Sequence, residues 1–138
     1  MSLKENLIKD ILIVIPAKGN STRLKNKNIF NINGKKLIEF TLDLIKKKKL
    51  VKNTFVSSNS NIIKEITAKN GINFIKRPEK LCKIESSTES AIIHSINYLK
   101  KKNKIFKWVI TLPPTSPLRT EKNLMDVIKL INTNKYDS

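Results

Sequence analysis

The sequence predicts an α/β fold built on a doubly wound, mostly parallel sheet. Residues 11–15 form an uninterrupted run of branched apolar side chains, which is typical of a strand buried on both faces. Candidate strands and helices then alternate along the chain, and this order favours parallel β-α-β units. Polar loops follow three of the candidate strands, and ligands in such sheets bind where strands end. We therefore expect one binding site at the carboxyl edge of the sheet.

Length and composition predict a single domain. The chain has 138 residues, 39% of them hydrophobic, which is enough to bury one core. It has no apolar run of membrane-spanning length, and residues 1–10 lack the apolar segment of a signal peptide. The single cysteine, Cys82, cannot form an internal disulfide, which fits a reducing compartment. We expect a cytoplasmic protein without a membrane partner.

The formal net charge of +17 first suggests nucleic-acid binding. However, the only arginines are Arg23, Arg77 and Arg119, and arginine is the residue that base readers and phosphate clamps favour. Aromatic residues, on which bases stack, are also scarce. Lysine is abundant together with asparagine and isoleucine, a joint bias that an AT-rich genome produces. We therefore expect the charge to steer anionic ligands, and we expect no nucleic-acid partner.

The loop after the first strand has the composition of a phosphate-binding loop. Pro16 has no N–H to donate to a sheet, so it ends the strand. Gly19 and Asn20 tolerate positive φ, which lets backbone N–H groups turn toward a ligand. Four cations fall within ten residues: Lys18, Arg23, Lys25 and Lys27. Exposed N–H groups and cations at the end of a buried strand can hold phosphate, although an ordinary basic surface loop has the same composition.

The next segments predict a turn, a helix and a second strand. Residues 28–33 are expected to be extended and to turn at Asn33-Gly34. Residues 37–50 are predicted to form a helix, and the side chains expected on its buried face are Leu37, Phe40, Thr41, Leu44 and Ile45. Residues 51–57 are predicted to form a strand that ends at Ser58, Asn59 and Ser60.

A second helix and a third strand follow. Residues 61–70 are predicted to form a helix that stops at Gly71. Residues 72–75 are predicted to form a brief strand, and residues 76–85 a loop that contains Arg77 and Pro78.

The third predicted helix starts at a capping box, with Ser86 as N-cap and Glu89 at the third helical position. It continues to about Lys102, and the side chains expected to face the core are Ile92, Ile93, Ile96 and Leu99. His94 lies among apolar neighbours in this helix. We expect it to be a structural residue, because no other histidine, cysteine or carboxylate lies at metal-ligand spacing from it.

The chain ends with a predicted buried strand, residues 108–112, and a final helix. Pro113 and Pro114 end the strand, and Thr120 is expected to cap the helix after a loop. The apolar residues of that helix are spaced for one face: Leu124, Val127, Ile128 and Ile131. A further strand would be expected after residue 138, so we expect the domain to be incomplete at its carboxyl end.

Four stretches resemble the acylneuraminate cytidylyltransferases, the CMP-sialic acid synthetases. The stretches are IPAKGNSTRLKNKN, NGKKLIEFTL, VSSNSNIIKEITAKNGINFIKRPEKL and TLPPTSPLRT. They occur in the order and at the spacing of that family, from about residue 11 to the last residue. The resemblance implies a Rossmann-like domain of the nucleotide-diphospho-sugar transferase type over residues 1–138.

The resemblance also implies an activity. Members transfer CMP from CTP to an acidic nonulosonic sugar and release pyrophosphate, usually with Mg²⁺, and they form homodimers. The aspartates that bind metal in the family, and its dimerisation segment, have no counterpart in this sequence, so we assign no metal ligand. Whether residues 1–138 are active by themselves therefore stays open.

Position within the matching motifs assigns the site residues. The resemblance implies that Lys27 and Lys18 grip the phosphates as the catalytic cations. It implies nucleotide contacts for Gly19, Asn20, Ser21, Arg23, Asn28, Ser58, Asn59 and Arg77, and sugar contacts for Thr115, Ser116 and Arg119. Lys18 replaces an arginine of the family pattern and loses its two-pronged grip on phosphate. For Arg77, a surface ion pair is the structural alternative.

Three alternatives stay open on the sequence. The sugar could be pseudaminic or legionaminic acid, whereas 3-deoxy-octulosonic acid is disfavoured, because enzymes for that sugar resemble QGDEP where this chain has PPTSPLR. The chain could also be a catalytically inactive nucleotide-binding fragment. A basic nucleic-acid binder is the third alternative.

Overall fold

The computed structural model describes residues 8–17, 31–81, 88–112, 114 and 117–134. Within them the strands are β1 (Ile11–Pro16), β2 (Asn31–Ile32), β3 (Lys35–Lys36), β4 (Thr54–Ser58), β5 (Asn73–Lys76) and β6 (Trp108–Thr111). The helices are α1 (Leu37–Lys47), α2 (Asn61–Lys69), α3 (Thr88–Lys100) and α4 (Pro117–Asn134). No helix among these residues is both long enough and apolar enough to cross a membrane.

The main sheet is parallel and has the strand order β5-β4-β1-β6. The chain moves outward from β1 to β4 and β5, and then crosses back to place β6 on the other side of β1. This reversal is the mark of a doubly wound sheet, so the predicted α/β class is confirmed. β2 and β3 form a separate antiparallel hairpin.

β1 is the centre of the sheet, as its apolar run predicts. Its residues from Ile11 to Ile15 are at most 1% exposed, and β4 and β6 flank it on both sides. Ile11, Ile13 and Ile15 pack in one core with α1, α2 and α4, while Leu12 and Val14 pack in a second core with α3. Successive side chains of a strand point to opposite faces, so each face needs its own cover of helices.

The turn of the hairpin and the two ends of α2 occur where the sequence predicts them. Asn33 and Gly34 have φ of 51° and 83°, the paired positive values of a tight hairpin turn. The Ser60 hydroxyl accepts a hydrogen bond from the Ile63 N–H at 3.3 Å and caps α2. Gly71, with φ of 69°, follows the end of α2. The predicted strand after it is shifted by one residue, since β5 begins at Asn73.

The prediction for α1 was wrong at its end and at two of the five residues expected on its buried face, while Thr41, Leu44 and Ile45 are confirmed. α1 stops at Lys47, and a 3₁₀ turn (Val51–Asn53) takes the next residues, so β4 begins only at Thr54. The side chains on the buried face are Ile38, Thr41, Leu42, Leu44 and Ile45, whereas Leu37 and Phe40 are half-buried. The helix starts at Leu37, directly after β3 of the hairpin.

The inward face predicted for α3 is confirmed at Leu99, whereas Ile92 is only half-buried. Ala91, Ser95 and Leu99 are buried, while Ile93 and Ile96 are 51% and 38% exposed. Ser95 donates its hydroxyl hydrogen bond to the Ala91 carbonyl at 2.9 Å, so its polar group is satisfied within the helix. Small side chains let a helix approach a sheet closely, which decides the face here. The predicted N-cap, Ser86, lies outside the described residues.

The last two elements correct two further expectations. β6 was predicted to be a buried strand, but Trp108 is half-buried and Val109 is 38% exposed, because β1 is its only strand neighbour among the described residues. α4 begins at Pro117, so Thr120 lies inside its first turn and is not its cap. Its predicted apolar face is confirmed: Leu124, Ile128 and Ile131 are buried, and Val127 packs against them.

Candidate functional site

The carboxyl ends of the parallel strands meet at one edge, as expected for a binding site in this fold. Pro16 of β1 stands beside Ser57 of β4, and Ser58 of β4 stands beside Lys76 of β5. Backbone hydrogen bonds continue one residue past the strands: the Ala17 N–H donates to the Ser57 carbonyl at 2.9 Å. The edge is therefore a continuous backbone platform from β5 to β1.

Arg77 is the first residue after β5, and it is 1% exposed. Its backbone N–H donates to the Ser58 carbonyl at 2.8 Å. Its guanidinium donates from Nε to the Ser57 hydroxyl at 3.1 Å and from Nη2 to the Ser57 carbonyl at 2.8 Å. The surface position considered for Arg77 is wrong, because the side chain is buried against β4.

Ser58 and Asn59 lie next to Arg77 at the same edge. Ser58 is fully buried, and its hydroxyl accepts the Ser60 N–H at 3.0 Å, which shapes the turn into α2. Asn59 is half-buried and donates from Nδ2 to a Glu79 carboxylate oxygen at 3.1 Å. Three residues assigned to the nucleotide, Ser58, Asn59 and Arg77, are thus brought together.

Most of the other assigned residues lie outside the described residues. They are Lys18, Gly19, Asn20, Ser21, Arg23, Lys27, Asn28, Thr115 and Ser116. Arg119 belongs to the first turn of α4, and nothing further is described of its side chain. All these assignments stay predictions.

Ser57 is the residue that sequence reasoning missed. It is fully buried and connects the guanidinium of Arg77 with the backbone of Ala17. A hydroxyl residue near the end of a buried strand is a signal that could have singled it out, because a buried polar side chain needs a defined partner. Its partner, however, lies 20 residues away in the chain.

His94 of α3 lies near enough to this edge to respond to its charge. Burial of the imidazole lowers the pKa of His94 first, and the positive charges of Arg77 and Lys101 lower it further. The Nδ1 atom has no hydrogen-bond partner within the described residues, and the ring tilts against Tyr98 with centroids 6.5 Å apart. We therefore interpret His94 as a structural, half-buried side chain that packs beside Tyr98.

One carboxylate, that of Glu79, lies at this edge and accepts the hydrogen bond from Asn59. Among the residues that the structure describes, no three histidine, cysteine, aspartate or glutamate side chains are grouped closely enough to hold a metal ion. The side-chain groups described at this edge are the Asn59 amide, the Glu79 carboxylate, the hydroxyls of Ser57 and Ser58, and the Arg77 guanidinium.

Comparison with known proteins identifies a family. A model of the cytidylyltransferase family matches residues 12–138. An N-acylneuraminate cytidylyltransferase of Escherichia coli is 27% identical over 123 residues, which is 89% of this chain and 28% of that protein. A pseudaminic acid cytidylyltransferase of Campylobacter jejuni is 31% identical over 116 residues, which is 83% of this chain and 49% of that protein.

A solved structure supports the fold. The structure of CMP:2-keto-3-deoxy-manno-octonic acid synthetase in complex with CTP superposes with a TM-score of 0.73 at 16% sequence identity. The match covers 91% of this chain and 48% of that one. The chain thus spans about half the length, or less, of these three proteins.

Proposed function

The chain belongs to the cytidylyltransferase family, and on that basis we propose that the protein transfers CMP from CTP to an acidic nonulosonic sugar. The observation that carries this proposal is the family match from residue 12 to residue 138. The position of Ser58, Asn59 and Arg77 at the carboxyl edge supports it, because that edge is where doubly wound sheets bind nucleotides.

The proposed reaction is a substitution at phosphorus. The anomeric hydroxyl oxygen of the sugar attacks the α-phosphorus of CTP and loses its proton. The bond between the α-phosphorus and the bridging oxygen breaks, and pyrophosphate leaves with the electron pair. In this proposal Lys27 and Lys18 offset the charge of the triphosphate, since such transfer depends on positioning and charge stabilisation.

The other assigned residues divide between the two substrates. Backbone N–H groups of Gly19, Asn20 and Ser21 would wrap the phosphates. The remaining proposed nucleotide contacts are Arg23, Asn28, Ser58, Asn59 and Arg77, and the proposed sugar contacts are Thr115, Ser116 and Arg119.

Mg²⁺ belongs to the proposal as the usual partner of a nucleoside triphosphate. The described residues offer no cluster of acidic groups to hold it, so we derive no step through the metal. Homodimer formation and a cytoplasmic location are further parts of the proposal.

The sugar is proposed as a class. Sialic acid is our first candidate, because the motifs resemble the acylneuraminate enzymes. Pseudaminic acid is the second, because the pseudaminic acid enzyme of C. jejuni is 31% identical to this chain, and legionaminic acid is the third. Pyrophosphate release with CTP, Mg²⁺ and each sugar in turn would identify the acceptor.

Calorimetric titration with CTP tests the proposal at its first step. We expect the chain to bind CTP in preference to ATP and GTP, and Lys27→Ala to abolish that binding. Lys52→Ala is a matched control, because Lys52 is an exposed cation in the turn before β4, at the opposite edge of the sheet. Unchanged affinity in Lys27→Ala would remove Lys27 from the site.

The same titration separates the alternatives. CTP binding without pyrophosphate release would indicate a nucleotide-binding fragment without activity. If the chain does not bind CTP but binds DNA or RNA with an affinity that falls steeply as salt increases, it is a nucleic-acid binder and the proposal is refuted.

A further inference from the structure

We propose that the outward face of α3 is a homodimer surface, on which a second copy of this chain lies with its own α3 antiparallel, about a twofold axis. This surface, the α3 stripe, consists of Glu89, Ile93, Ile96 and Lys100. The inference rests on the proposed function only for its homodimer, since it names the surface through which that dimer forms. Every residue of the α3 stripe belongs to the described part of the chain.

The first step is the position of these four residues on the helix. They are spaced four, three and four residues apart, so they share one face of α3. All four are exposed, Ile93 at 51% and Ile96 at 38%, whereas the side chains that α3 buries lie on another face. Alternating spacings of three and four are typical of the seam along which two helices pack.

The second step is the apolar surface beside the α3 stripe. Ile96 and Lys100 also line a groove of about 350 Å³, together with Leu12, Ile105, Phe106 and Val109. Within this group Ile105 is 78% exposed and Val109 is 38% exposed. The isoleucines of the stripe are therefore part of a larger exposed apolar surface, which is the kind of surface that marks an interaction site.

The third step is that the α3 stripe is complementary to itself. A twofold axis makes each contact occur twice, with the two residues exchanged between the copies. When two α3 helices lie antiparallel and the axis passes through the middle of the stripe, Ile93 meets the partner's Ile96. At the same register Glu89 meets the partner's Lys100. The interface therefore has an apolar centre and an ion pair at each end.

Charge selects this arrangement over other occupants. A parallel pair of helices would place Glu89 opposite the partner's Glu89, and Lys100 opposite the partner's Lys100. An acidic peptide would suit Lys100 but would bring like charge to Glu89. Among the described residues neither Glu89 nor Lys100 takes part in an ion pair, so both ends of the stripe are available to the second copy.

The size of the surface predicts a weak dimer. α3 has 13 residues and is about 20 Å long at about 1.5 Å per residue. One helix face of this length buries less than the roughly 800 Å² per partner of a stable interface, so we expect a dissociation constant on the order of 100 μM. The net charge of +17 also opposes association, although about 0.15 M salt screens most of this repulsion beyond about 8 Å.

The first measurement is sedimentation equilibrium of the chain without nucleotide, at protein concentrations on either side of that constant. We expect the mass to rise toward that of a dimer. Ile93→Glu should raise the dissociation constant by at least about tenfold, because an unpaired carboxylate would be buried between the helices. Ile62→Glu is the matched control and should change nothing, since Ile62 is an isoleucine on α2 with a similar exposure of 46%.

The second measurement tests the register with Glu89→Lys and Lys100→Glu. Each variant alone places like charges opposite each other at both ends of the interface, so each should associate less than the original chain. An equimolar mixture of the two places opposite charges at both ends. We expect the mixture to associate roughly threefold to tenfold more tightly than either variant alone. Any effect of the substitutions on α3 itself is the same in the mixture and in its components.

Three results would overturn the inference: a monomer at every concentration, undiminished association in Ile93→Glu, or a mixture that associates no more than its components. The first result would also remove the homodimer from the proposed function, whereas the second would leave a homodimer that forms through another surface. CTP binding tests the transfer reaction separately, because no residue of the α3 stripe is among the assigned site residues.

Discussion

Leu12 and Ile13 are consecutive in β1 and equally buried, at 1% exposure, but they pack in two different cores. Leu12 lies with Val14, Phe55, Ile75 and Leu99 beneath α3, whereas Ile13 lies in the larger core beneath α1, α2 and α4. The sheet lies between the two cores. β1 therefore holds both layers together and also carries the candidate site at its end.

Truncating Ile13 should destabilise the whole domain. We expect Ile13→Ala to lower the free energy of unfolding by about 2–5 kcal/mol, because it removes buried methylene groups and leaves a cavity. Urea unfolding followed by circular dichroism measures the loss. Ile62→Ala, on the exposed side of α2 at 46% exposure, should stay within about 0.5 kcal/mol of the original. Equal losses would contradict the central position of β1.

Substitutions on α3 test which of its faces meets the sheet. Ala91 is fully buried, so Ala91→Leu should destabilise the fold by about 1–3 kcal/mol through overpacking. Ile93→Ala, at a half-exposed position, should cost no more than about 0.5 kcal/mol. Thermal unfolding of the two variants measures both effects. If Ile93→Ala cost more stability than Ala91→Leu, the buried face of α3 would be the one predicted from the sequence.

The pH dependence of stability should include a contribution from His94. Burial, and then Arg77 and Lys101, lower the pKa of His94 below its ordinary value of 6.5, so the unfolded chain binds this proton at higher pH than the folded chain. The free energy of unfolding should therefore fall as the pH drops below about 6.5, and this contribution should level off below the folded-state pKa.

Urea unfolding at several pH values between about 5 and 7, where only histidine ordinarily titrates, measures this slope. His94→Gln removes the titrating group, so its stability should depend less on pH over that interval. If the free energy of unfolding of His94→Gln changed with pH as steeply as that of the original chain, the pH dependence would come from other groups.

Asn59 should affect binding more than stability. Its side chain is half-buried and reaches Glu79 across the edge. Under the proposed function, Asn59→Ala should weaken CTP binding roughly threefold to tenfold, the loss of one hydrogen bond, while the melting temperature changes little. Glu79→Gln keeps an acceptor for Asn59 and should preserve CTP affinity. A loss of stability in Asn59→Ala without any loss of affinity would make Asn59 a structural residue.

The sequence alone established the class of fold and the strands that define it. An uninterrupted apolar run identified the central strand, because only a strand covered on both faces excludes polar residues. The pair Asn33-Gly34 and the single Gly71 identified a turn and a helix end, because these residues adopt positive φ at low cost. The four motifs identified the family, and with it the predicted site residues.

Only the tertiary structure decided which faces are buried and which site residues meet. Apolar spacing predicted Ile93 and Ile96 in the core, but the small residues Ala91 and Ser95 face the sheet, because close approach of a helix depends on the surface opposite it. Ala17, Ser57 and Arg77 are distant in sequence, and they converge because parallel strands pair through crossovers. Local periodicity contains no information about that pairing, since partner strands are selected by contacts between distant segments.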